Sequence, residues 1–99
     1  MKEKRILRLT LYRRHFNHIA IGAKKDEFRD RTPYWIARLE DRTFDEVHFH
    51  NGYGAGAPFM RVEWLGMTAY STFFAIHLGR VLELDWNPLP CRSLAGDNT

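Results

Sequence analysis

Phe74-Ala75-Ile76-His77-Leu78-Gly79-Arg80-Val81-Leu82-Glu83-Leu84 places large apolar side chains at 74, 76, 78, 82 and 84. Alternation of this kind marks a strand with one buried face. The run is long for a single strand, and Gly79 in its middle predicts a bulge or bend. Upstream, Phe59 to Leu65 alternates too, with Met60, Val62 and Trp64 on one face and Phe59, Arg61 and Glu63 on the other. Only Thr68 to Thr72 separates these two strands, and Asn51-Gly52 is a turn signal before them. Glu46 to His50 is a third alternating segment, with Val47 and Phe49 opposite His48 and His50.

The N-terminal half mixes the two periods. Leu7, Leu9 and Leu11 share one face of a strand over Ile6 to Tyr12. Tyr12, Phe16, Ile19 and Ala20 fall at helical spacing, which predicts a short helix over Arg13 to Ile21. Gly22 stands where a helix end takes a left-handed residue. Thr32-Pro33 is a helix start, with Thr32 as N-cap and Pro33 in the first turn, and Trp35, Ile36 and Leu39 form the apolar stripe that follows. Lys24 to Arg29 is charged, with Phe28 its one large apolar residue, and reads as a strand beside a polar surface. The order is β-α-β-α-β-β-β, a mixed α+β domain built as a small β-barrel with two short helices. The domain is expected over residues 1–86, and residues 87–99 form a polar C-terminal tail broken by Pro88 and Pro90. The tryptophans Trp35, Trp64 and Trp86 are read as packing residues.

A chain of 99 residues holds one domain. No apolar run approaches the ~18 residues that cross a membrane, and the charged start leads into no signal-peptide core. A lone cysteine, Cys91, fits a reducing, cytoplasmic setting. The net charge of +3 is unevenly spread: residues 1–38 hold eleven Lys and Arg against four acids, a balance of +7, and residues 39–99 hold four against eight, a balance of −4. A basic half steers polyanions, so nucleic acid is the first partner class to consider.

Several residues carry chemistry. Lys24 beside Glu27 can act as phosphate anchor or general base, with Arg29 close by. On a regular strand, residues 25, 27 and 29 would face one way and 24 the other. Asn51-Gly52-Tyr53-Gly54-Ala55-Gly56-Ala57 is rich in glycine but lacks the Gly-Lys-Ser/Thr of a P-loop, and it presents Tyr53 for stacking on a base. Tyr34, after Pro33, is placed at a cleft entrance. Arg13, Arg14 and Lys25 are candidate phosphate contacts. His48 and His50 lack cysteine partners and His-Glu-x-x-His spacing, so no metal and no cofactor are expected.

Three segments, in order, resemble the ASCH family, whose members have a PUA-like fold. They are Gly22-Ala23-Lys24-Lys25-Asp26-Glu27-Phe28-Arg29, then Asn51-Gly52-Tyr53 with Pro58-Phe59-Met60-Arg61-Val62-Glu63, then Phe74 to Leu82. The resemblance covers about Leu7 to Leu84, and it matches the short bacterial and phage members best. It implies a barrel with a cleft along Gly22–Arg29 and a partner that is RNA, a nucleotide or a nucleoside. Relatives of this kind include RNA-binding modules, a proposed ribonuclease and amidohydrolases acting on N4-acylated cytidines. In the amidohydrolases a lysine, matched by Lys24, activates a threonine three residues later, with a distant glutamate assisting. The threonine position is Glu27 here, and the insertion that carries the distant glutamate has no counterpart. Binding of RNA or a nucleotide is therefore the first expectation, through Lys24, Lys25, Arg29, Tyr34, Asn51, Tyr53, Arg13 and Arg14. A hydrolase using Lys24, Glu27 and Tyr53 is the second, and a protein-interaction adaptor the third.

Overall fold

The computed structural model describes residues 3–52 and 56–86. The elements are β1 (Ile6–Leu11), α1 (Arg13–Ala20), β2 (Asp26–Asp30), α2 (Pro33–Leu39), β3 (Glu46–Asn51), β4 (Phe59–Ala69) and β5 (Phe73–Asp85). The expected order holds. Two strands run further than alternation alone indicated: β4 continues to Ala69, and β5 spans 13 residues. Tyr53 and the tail at 87–99 lie outside the described residues.

One five-stranded sheet has the order β1-β3-β4-β5-β2. The β1–β3 pair is parallel, and the other neighbours are antiparallel. The first two strands in the chain are thus the two edges. The sheet curls into a half-barrel, a small mixed α+β domain, and brings those edges toward each other.

The inner face is the apolar set of each alternation. Leu7, Leu9 and Leu11 of β1, Val47 and Phe49 of β3, Met60 and Val62 of β4, and Phe74, Ile76 and Leu78 of β5 are buried. Phe16 and Ile19 of α1 and Leu39 of α2 complete this core. Helix α1 has no side-chain cap and no acidic residue in its first turn, so packing of Phe16 and Ile19 holds it. Helix α2 is capped by Thr32, whose Oγ1 accepts from the Trp35 amide at 3.3 Å. Trp35 and Trp64 pack against the core. Trp86 is 42% exposed and stands edge-to-face with Phe16, ring centroids 5.9 Å apart, so it lies at the margin of the core.

Gly79 stands in an irregular stretch, as its position suggested. The β4–β5 register shifts three times between Arg61 and Gly66. A Cβ at 79 would collide with the Glu63 side chain, so glycine lets β4 and β5 close there.

Opposite the core, Glu46 gathers a polar network. Its carboxylate accepts from Lys4 Nζ at 2.8 Å, lies 3.0 Å from His48 Nε2 and takes both its oxygens to Arg61 NH1 at 2.9 Å. Arg61 reaches on to Glu83 at 2.8 Å. The hydrogen bond from Lys4, then those from His48 and Arg61, lower the Glu46 carboxyl from 4.5 to about 2, against the opposing effect of burial. Lys4 is largely exposed, so Arg61 is the firmer partner in salt. Folded Glu46 binds its proton less readily than unfolded Glu46. Its contribution is therefore complete above 4.5 and disappears as pH falls toward 2. The melting temperature is expected to fall through this window, and Glu46→Gln is expected to flatten that part of the profile, as thermal unfolding at stepped pH will show.

Candidate functional site

The two edge strands approach without pairing, and a charged cluster fills the seam. Arg29 on β2 donates from NH2 to the Thr10 carbonyl on β1 at 3.3 Å, and from the same nitrogen pairs with Glu27 Oε2 at 2.9 Å. Glu27 is only 5% exposed. Lys24 Nζ lies 3.1 Å from Glu27 Oε1 but outside hydrogen-bonding geometry, and 3.2 Å from His15 Nδ1. The Arg29 guanidinium sits over the Trp35 ring, 5.2 Å from its centroid.

Local backbone explains how Lys24 and Arg29 come to one side. Gly22, at φ 81°, turns the chain back after α1, and the amides of Ala23 and Lys24 both donate to the His18 carbonyl at 2.9 and 3.0 Å. Strand β2 begins only at Asp26. Lys24 therefore precedes the regular alternation that would have turned it away from Glu27 and Arg29, and all three converge.

The cluster carries two cations to one carboxylate, with an imidazole alongside. Its polar atoms are incompletely used. Glu27 Oε1 and Arg29 Nε are buried and make no hydrogen bond among the described residues. Glu27 Oε1 is offset by its ion pair with Lys24, whereas a buried donor without a partner, as Arg29 Nε is here, costs roughly 1–3 kcal/mol.

The other expected residues do not all join this cluster. Arg13 donates from Nε to Asn51 Oδ1 at 3.0 Å, and Asn51 Nδ2 donates to the Leu11 carbonyl at 3.1 Å. Asn51 thus ties the ends of β1 and β3 and holds Arg13 there. No hydrogen bond or ion pair links this pair to Lys24 or Arg29 among the described residues. Arg14 and Lys25 are exposed. The Lys25 carbonyl accepts from the Leu78 amide at 2.9 Å, so its backbone anchors β2 to β5. His48 serves Glu46, and the Phe59 ring lies against both His48 and His50.

Tyr34 is found in a second feature. Between α2 and β1 lies an open groove of about 450 Å³, walled by Arg8, Arg38, Arg42, Tyr34, Trp35 and Phe44. Arg38 stacks over Tyr34 at 3.9 Å from the ring centroid. None of Arg8, Arg38 and Arg42 makes a salt bridge among the described residues. Trp35 belongs both to the wall of this groove and to the Arg29 contact. Sequence reasoning placed Tyr34 at the entrance of the Gly22–Arg29 cleft and did not single out the three arginines. The signal available was Tyr34 and Arg38, four residues apart on one helix.

No protein-family model, curated protein or solved structure matches this chain. Among the described residues, no helix is long and apolar enough to cross a membrane.

Two outcomes follow from the cluster. Glu27→Ala leaves two cations without their shared counter-charge and is expected to cost about 3–5 kcal/mol in urea unfolding, with Lys24→Ala costing less. The Lys24 amino group is engaged by Glu27, and the position three residues on holds that carboxylate rather than a hydroxyl nucleophile. Incubation with N4-acetylcytidine is therefore expected to show no cytidine release that Lys24→Ala abolishes.

Proposed function

We propose that the chain is a small RNA- or nucleotide-binding domain of the ASCH type, with a PUA-like barrel. The observation that carries this reading is the groove. Among the described residues, three arginines without salt bridges surround Tyr34, Trp35 and Phe44, and Trp35 also lies under the Arg29 guanidinium.

Arginine without a carboxylate partner is free to pair with phosphate, and its planar fork does so with two hydrogen bonds. An exposed aromatic ring offers a face to any base and is tolerant of sequence. The two together form the pattern that single-stranded nucleic acid requires: cations along a backbone track and rings beside it. The seam supports the same reading. Lys24 and Arg29 keep part of their side chains open to solvent there, and each can pair with a phosphate. The ASCH resemblance of the Gly22–Arg29 segment points to the same ligand class. Cationic residues crowd the N-terminal half, where the balance over 1–38 is +7.

Fluorescence anisotropy with labelled single-stranded RNA tests this. Affinity is expected to fall steeply as salt rises, with Arg38→Ala and Arg42→Ala each lowering the slope of log K against log salt by roughly 0.7–1. Tyr34→Ala is expected to cost about 1–3 kcal/mol at every salt concentration, the value of one lost stacking contact. Absent binding at low salt, or binding that ignores salt and all three substitutions, would sink the reading.

A further inference from the structure

The face of the sheet opposite the core holds an ordered chain of three side chains that nucleotide binding does not use. Thr68 of β4, His77 of β5 and Asp26 of β2 come from three neighbouring strands. Thr68 Oγ1 lies 2.8 Å from His77 Nε2, and His77 Nδ1 lies 2.7 Å from Asp26 Oδ1. We propose that Thr68, His77 and Asp26 are an acyl-transfer triad that hydrolyses small aryl or apolar carboxylic esters.

The sequence of bonds is what the chemistry demands. A hydroxyl nucleophile needs a base within hydrogen-bond reach, and the base needs a third group on its other nitrogen to set its tautomer. Asp26 accepts the Nδ1 proton, which leaves Nε2 as the lone-pair nitrogen facing the Thr68 hydroxyl. The register delivers this geometry. Asp26 is paired with His77 across β2 and β5, and Thr68 with Ala75 across β4 and β5, so Thr68 is the diagonal neighbour of His77. Both His77 and Asp26 are open to solvent, with side chains 39% and 46% exposed, so substrate and water can reach the site.

The same face supplies a binding surface. Phe28 follows Asp26 by two residues, and Phe73 precedes Ala75 and His77 on the same side of β5. Phe28 meets Phe73 edge-on at 5.8 Å, and Tyr70 stacks on Phe73 at 4.7 Å between centroids. Phe28 and Tyr70 are about half exposed. A shelf of three aromatic rings beside a nucleophile selects an apolar or aryl acyl group.

The reaction balances without any further reagent than water. Thr68 Oγ1 bonds to the ester carbonyl carbon, and its proton passes to His77 Nε2. The bond from that carbon to the leaving oxygen breaks, and the leaving alkoxide or phenoxide takes the proton from His77. Water then attacks the acyl-Thr68 ester, giving its proton to His77, and the carboxylic acid departs as the proton returns to Thr68 Oγ1. Thr68 and His77 are the catalytic residues. Asp26 is a positioning residue.

The test uses the full chain with 4-nitrophenyl acetate and 4-nitrophenyl benzoate. Thr68→Val and His77→Gln are each expected to lower turnover by at least ~100-fold, the usual worth of an activated nucleophile and base. Thr68→Ser should retain activity, and Asp26→Asn should lower kcat, leave KM unchanged and alter the pH profile. Phe28→Ala and Tyr70→Ala should raise KM for the benzoate more than for the acetate. Peptide mass spectrometry of acid-quenched wild-type protein should find the acyl group on Thr68. This last measurement does not depend on any variant folding. Acylation only elsewhere, or equal turnover by folded wild type and Thr68→Val, would overturn the assignment.

Discussion

A half-barrel leaves two strand edges facing each other, and something other than a ladder must join them. In this chain the join is the Glu27–Arg29 pair, with Arg29 reaching across to the Thr10 carbonyl. Everything near the seam hangs from that contact. Helix α1 reaches it through His15 and Lys24, and α2 through Trp35 under the Arg29 guanidinium. A polar join is directional where an apolar one is not, so it fixes how far the sheet curls. It also covers an edge that would otherwise offer free carbonyls to another chain.

The two buried carboxylates among the described residues make a useful contrast. Glu46 has both oxygens hydrogen-bonded, to Lys4, His48 and Arg61. It binds the start of β3 to β4 and, through Glu83, to β5, and nothing about it asks for a ligand. Glu27 is as deeply buried and keeps one oxygen without a hydrogen bond, beside an Arg29 nitrogen in the same state. A fully satisfied network is what stability favours. Glu27 relies instead on its ion pairs with Lys24 and Arg29.

What could be read from the chain follows the reach of each signal. Period-2 alternation found β1, β3, β4 and β5, because each presents a pure apolar set to the core. Strand β2 was hardest to recognise, because its inward positions are Glu27 and Arg29 and its one large apolar side chain, Phe28, faces outward. The convergence of Lys24 with that pair was hidden by where the strand begins. The groove was invisible because Arg8 belongs to β1 and Arg42 follows α2, and only the curl of the sheet brings them to Tyr34. The triad was harder still. Asp26 and His77 are 51 residues apart, and no periodicity specifies which residue of β2 stands opposite which of β5.

That register matters more for β2 than for any other strand. A slip of one residue turns every side chain to the opposite face. In an ordinary strand the apolar set forbids the slip, but β2 has no apolar inner face to do so. Its register against β5, with Asp26 opposite His77 and Glu27 opposite Ile76, must be set by polar contacts. On the inside these are Arg29 with the Thr10 carbonyl of β1 and Lys24 with His15 of α1; on the outside, Asp26 with His77. Each set enforces the other, because a slip that lost the seam would also carry Asp26 away from the imidazole. The strand thus holds two chemically unlike surfaces in place, a cationic seam inside and a hydrogen-bonded relay outside. The strand's poor apolar pattern is the consequence of carrying both.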